Sequence, residues 1–225
     1  MHTQEESRDH RLSTLTRTLP LAGVAYAALV VAGDLTIGPF PGTDTSLSGL
    51  SRYFATHSGQ VRAGGELMTW GAVALGLFGI AVWARVREAA GPPVVAGLVL
   101  LGTAVAVMAE LLGAGSYVTL GSIGDSRGLT PQALQALHAG SQFGGGGGTL
   151  LMLGLFAAGV LTRALPPWLA WSALALGIAE VTPFGFLASM LVLLWSAVAG
   201  IVLTVRGPVW SRSRVRAGVA HAGPA

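Results

Sequence analysis

Residues 185–205 read GFLASMLVLLWSAVAGIVLTV, an unbroken run without a charged side chain. At about 1.5 Å per residue a helix of this length extends roughly 31 Å. That matches a bilayer hydrocarbon core of about 30 Å. The run opens after Thr182-Pro183-Phe184-Gly185, read as a tight turn, and closes at Arg206-Gly207-Pro208. Further uncharged stretches cover 67–84, 89–109, 128–162 and 164–179. Of the 225 residues, 52% are hydrophobic and 10% charged, against about 25% charged in a typical soluble domain. Mean hydropathy is +0.65. So few charges cannot cover a water-soluble body of this size, whereas lipid accepts an apolar exterior. The expected fold class is all-α, an integral membrane six-helix bundle.

Punctuation places the other spans. Helix 1 is expected over about 18–38, closed by Gly38-Pro39-Phe40-Pro41-Gly42, where Pro and Gly stop a helix and bend the chain. The basic start with Arg8, Arg11 and Arg17 followed by an apolar run resembles a secretory signal. The run's length and the spans beyond it favour a retained helix. Residues 43–60 alternate differently. Leu47, Leu50, Phe54, His57 and Val61 recur every three or four positions, an amphipathic helical spacing. They predict a segment on the outer membrane surface, feeding a second span at about 62–85. Gly91-Pro92-Pro93 turns the chain into a third span, 93–117, and 118–130 reads as an outer loop.

The stretch from Pro131 to Arg163 is too long for one crossing, about 50 Å as a helix. Residues 131–140 are expected outside or kinked, with the span at about 141–163. The last two spans are expected at 166–181 and 185–205. Within the fourth, Gly140, Gly144 and Gly148 form an i, i+4 stripe, read as a seam where small residues let helices approach closely. A locally unwound helix is the alternative. It is no phosphate loop, because the Lys-Ser/Thr ending is missing and no strand precedes it.

Arginine distribution orients the bundle. With the N-terminus inside, the inner segments hold ten arginines and the outer ones only Arg52, Arg62 and Arg127. Positive residues favour the cytoplasmic side, so both termini are expected there (N-in/C-in) in a bacterial cell membrane. Residues 1–17 are expected as a cytoplasmic tail and 207–225 as a basic, disordered one. The formal net charge of +3 follows from these edges and gives no reason to expect nucleic-acid binding. The absence of Cys excludes disulfides, thiolate metal sites and cysteine nucleophiles. The expected partners are the lipid bilayer and, within it, a second copy or another membrane protein. No cofactor is expected.

Four stretches carry a likeness to known proteins. They are Arg52-Tyr53-Phe54-Ala55 with Arg62-Ala63-Gly64-Gly65 and the later Val82-Trp83-Ala84-Arg85; Leu134-Gln135-Ala136-Leu137-His138-Ala139; Leu165-Pro166-Pro167-Trp168-Leu169-Ala170-Trp171; and Pro183-Phe184-Gly185-Phe186-Leu187. Over roughly 45–206 the chain resembles a group of actinobacterial multi-pass membrane proteins catalogued as domains of unknown function. The resemblance implies about six helices. It implies no activity and no functional residues.

Ionisable groups inside a bilayer are costly, and each is a functional hypothesis. Asp34, Glu66, Glu110 and Glu180 all fall in the outer third of the expected core, with His138 at or just above that level. Small residues share their helical faces: Thr103, Ala106, Gly113 and Ala114 with Glu110, Ala173 and Gly177 with Glu180. Three readings stand. In the first, the acids reach the headgroups or pair with Arg62, Arg52 or Arg127; Arg62 and Glu66 are four apart and can touch. In the second, they form an outward polar pocket for a cation, a proton or a small solute. In the third, the acids, His138 and His57 hold a metal whose bound water hydrolyses a substrate. No HExxH, G-x-S-x-G elbow or nucleotide fingerprint is present. The sequence alone favours a non-enzymatic structural or partner-binding membrane component. The alternative is a small transporter or cation-binding protein, and a metal-dependent intramembrane hydrolase is the remotest.

Overall fold

The computed structural model describes residues 17–42, 45–89, 91–123, 131–141 and 148–206, and among them the chain is all-helical, without a strand. A single 3-10 turn, Leu19–Leu21, leads into α1 (Ala22–Ile37). There follow α2 (Leu47–Glu88), α3 (Pro93–Ile123), α4 (Pro131–Ser141), α5 (Gly148–Thr162), α6 (Pro167–Glu180) and α7 (Gly185–Arg206).

Local chemistry sets these boundaries. Gly38 ends α1 with φ of 68°, a conformation that favours glycine, and its N–H donates to the Asp34 carbonyl at 2.9 Å. Ser46 caps α2, its hydroxyl accepting from the Gly49 N–H at 3.3 Å, which satisfies one of the donors a helix start leaves open. Proline stands at the first position of α3, α4 and α6, where its missing N–H removes no helical bond.

Among the described residues, four helices are long and apolar enough to cross a membrane: Leu19–Ile37, Leu47–Glu88, Pro93–Ile123 and Gly185–Arg206. Their outward faces are apolar too. Leu35, Val94, Phe186 and Val205 are each 75 to 81% exposed. Large apolar side chains spread over a surface in this way require an apolar surrounding, and the helices are those of a membrane-inserted protein.

The helices agree with some expected boundaries and correct others. The fifth expected span, 166–181, is α6 to within a residue at each end, and the fourth closes at Thr162 as α5, residues 142–147 of its expected start lying outside the described residues; α5 as described has 15 residues and α6 has 14, about 22 and 21 Å. Neither alone matches a 30 Å core. The expected surface segment before the second span is no separate element. It forms the first turns of α2, one helix of 42 residues, about 63 Å long. Its apolar stripe faces inward, with Leu50, Phe54 and Val61 fully buried against protein. The third span also runs on to Ile123, so 118–123 is helix where a loop was expected.

The helices pack in chain order into a ring. α1 lies on α2, α2 on α3, α3 on α5, α5 on α6, α6 on α7, and α7 returns to α1. Small residues allow the close approaches. A Cβ at Gly102 would sit 2.6 Å from the Leu151 Cα, and one at Gly200 would sit 2.6 Å from the Pro20 carbonyl oxygen. Two apolar cores result. The larger fills the ring with Phe78, Val82, Leu155, Leu169, Trp195 and Leu203. The smaller gathers Ile37, Leu50, Phe54, Val61, Leu120 and Leu134 into a cap at one end, where α4 packs on α3. Arg85, Arg87, Arg163 and Arg206 lie at the other end. There Arg85, itself buried, donates to the Leu203 carbonyl and ties α2 to α7.

Candidate functional site

Between the cap and the filled half of the ring lies a cavity of about 560 Å³. Six helices, α1, α2, α3, α5, α6 and α7, contribute to its wall. The reason it stays open is the distribution of bulk. Phe78 and Trp195 meet edge to face, ring centroids 6.4 Å apart, and close the ring on the arginine side. Towards the cap, lining positions 106, 113, 114 and 148 are Ala or Gly and leave the space unfilled.

Three carboxylates enter this space. Asp34 reaches it from the last turn of α1, Glu110 from the middle of α3 and Glu180 from the end of α6. Glu110 lies within electrostatic reach of both Asp34 and Glu180. Two hydroxyls serve them. The Tyr26 hydroxyl donates to Glu110 Oε1 at 2.8 Å, and the Thr149 hydroxyl donates to Glu180 Oε2 at 3.1 Å. Tyr26 is itself buried. Gly148 gives Glu180 its place, since a Cβ there would stand 2.6 Å from Oε1. Among the described residues that line the cavity, none is Arg, Lys or His.

The other expected site residues lie elsewhere. Glu66 is on the outer surface of α2, paired with Arg62 at 2.9 Å, and both side chains are more than half exposed (52% and 58%). His138 is buried in the cap. Its Nε2 is 3.3 Å from the Gly42 carbonyl oxygen, and its ring lies 5.2 Å from that of Phe40. His57 stacks on Tyr53 at 4.5 Å on the same cap. Neither histidine lines the cavity, so the ligand set of the hydrolase reading is not brought together, and no group of three metal-ligating side chains is found among the described residues. Of the glycine stripe, Gly140 belongs to α4, Gly148 opens α5, and Gly144 lies outside the described residues. Gly148 lies where α5 packs on α6, against the Glu180 carboxylate.

The hydroxyl partners were not anticipated. Tyr26, Val30 and Asp34 are spaced by four, one face of one helix, so the position of Tyr26 beneath Asp34 was readable. The pairing of Thr149 with Glu180 required the α5–α6 hairpin. Together the fold and the cavity define an apolar helical protein of the membrane with an acidic interior site. Comparison with known proteins finds no matching family model, curated protein or solved structure.

Proposed function

We propose that the protein is a six-crossing integral membrane protein of a bacterial cell membrane, both termini cytoplasmic, whose cavity binds a small organic cation on the outer side. One observation carries the binding reading: three carboxylates share one cavity, and no basic side chain among the described residues lines it. Carboxyl groups gathered away from water ionise readily only beside a positive charge, and a cationic ligand would supply one. The size fits a molecule better than a bare ion. About 560 Å³ falls within the range of small-molecule pockets, roughly 300–1,000 Å³. Tyr26, Phe78 and Trp195 contribute aromatic surface, which attracts cations through the ring face. Binding of this kind suits a receptor or a small transporter. The cavity favours it over the purely structural role that the sequence alone recommends.

The crossing number and orientation rest on charge and on level. Gly91, between α2 and α3, packs against Thr162 at the end of α5, so the α5–α6 turn reaches the level of the α2–α3 turn. Arginines collect at that end, as at a cytoplasmic face. A hairpin of about 22 Å crosses with help from flanking residues or a locally thinned bilayer.

The test is calorimetric titration of the purified protein in nanodiscs with tetraethylammonium, against wild type, Glu180→Gln and Glu110→Gln. Saturable binding that weakens at least tenfold in either variant is expected. Binding equal in all three proteins removes the carboxylates from the site, and no binding in wild type sinks the reading.

A further inference from the structure

The cavity has a side door. Towards the arginine end α1 and α7 are joined: the Ser196 hydroxyl donates to the Gly23 carbonyl at 3.3 Å, and Gly200 packs on Pro20. Two to three turns closer to the cap, the same helices present Val30 and Asp34 on one side and Phe186, Ser189 and Met190 on the other, all lining the cavity. Asp34, Phe186 and Met190 are also exposed, Phe186 to 81%. Residues that both line a cavity and are exposed mark its mouth, and these three set the mouth between α1 and α7.

The mouth faces sideways. Above the cavity, Tyr117 lies in its wall and packs under Phe40 of the cap, ring centroids 5.0 Å apart. Beside the mouth, Leu35 follows Asp34 and Leu187 follows Phe186, 78% and 59% exposed. Such flanks belong to a surface in lipid. An exposed carboxylate amid apolar side chains at membrane depth is strongly disfavoured unless it has work to do.

We infer that the cavity admits an amphiphilic cation from the outer leaflet, its ammonium or amine head drawn past Asp34 to Glu110 and Glu180 and its apolar tail left between Phe186 and Met190. This rests on the acidic-cavity reading above and adds to it the route and the ligand class. The acids select the sign of the head, and the rim of Phe186 and Met190 accepts a chain. A soluble ammonium ion has the head alone, so it fills the interior without covering the mouth.

The absence of native cysteine allows the test. Met190→Cys protein in zwitterionic nanodiscs is labelled with a membrane-permeant maleimide, and its melting temperature is followed in parallel. The probes are octyltrimethylammonium, tetramethylammonium and octyl sulfate. Both ammonium ions are expected to raise the melting temperature, and only the octyl form should slow labelling, at least tenfold, with the slowing lost in Asp34→Asn. Stabilisation by both without slowing by either overturns the side door and leaves the acidic cavity standing. Equal slowing by octyl sulfate overturns the charge selection and with it the inferred ligand. Failure of both ammonium ions to stabilise removes the acidic-cavity reading itself, and this inference falls with it.

Discussion

At the residue scale the cavity turns on one hydrogen bond. Tyr26 and Glu110 are 84 positions apart in sequence, and their contact at 2.8 Å joins α1 to α3 across the ring. A hydrogen bond involving a charged group contributes about 1.5–3 kcal/mol, and leaving a buried partner unsatisfied adds a penalty of similar size. Tyr26→Phe keeps the ring and removes the donor. It should destabilise the protein by about 1–3 kcal/mol. If the hydroxyl acts through Glu110, Tyr26→Phe in a Glu110→Gln background should lose less than the two single changes added together, by about 1 kcal/mol. Unfolding in mixed micelles measures all four proteins. Strict additivity would mean that the bond contributes nothing to stability.

At the element scale, the apolar runs were legible and their partition only in part. The long helices announce themselves because a helix in lipid needs about 20 predominantly apolar residues, and the helices closed by Ile37, Glu88 and Arg206 each hold such a run. The end of α5 and both ends of α6 were legible because prolines and glycines mark where helices stop and turn, and they fall within a residue of the expected boundaries. The first turns of α2 were misplaced. An amphipathic stripe of Leu50, Phe54 and Val61 reads the same whether its apolar face meets lipid or protein. Here it meets Ile37, Leu120 and Leu134 of the cap. The difference is measurable. Phe54→Ala opens a fully buried site, for which large-to-small changes lose about 3–5 kcal/mol. A matching drop in unfolding free energy is expected, whereas a side chain resting on the membrane surface would give a change well under 1 kcal/mol.

At the scale of the whole molecule the ring is asymmetric, filled by aromatic side chains at the arginine end and open below the cap. Which acids would share that opening followed partly from the sequence. Asp34, Glu110 and Glu180 lie at one depth because each sits a similar number of turns from an arginine-side boundary. Glu66 lies at that depth too, and only its helical face, turned outward to Arg62, removes it. Depth is a property of one helix, and facing is a property of the assembly. The same distinction governs the α5–α6 hairpin. A hairpin that crosses the bilayer and one that enters from the outer side and returns leave every other segment on the same side, so charge counting cannot separate them. Arg163, exposed at the tip with φ of 56°, can. In a cysteine-free chain, Gln132→Cys on α4 should react with an impermeant maleimide on intact cells, and Glu88→Cys only after permeabilisation. Arg163→Cys should behave as Glu88→Cys does, because packing of Gly91 on Thr162 holds the two turns at one level. If Arg163→Cys resists the reagent from both sides while the other two positions react as described, the hairpin is re-entrant and the protein has four crossings. The acidic cavity would then be walled on one side by a hairpin that never leaves the membrane.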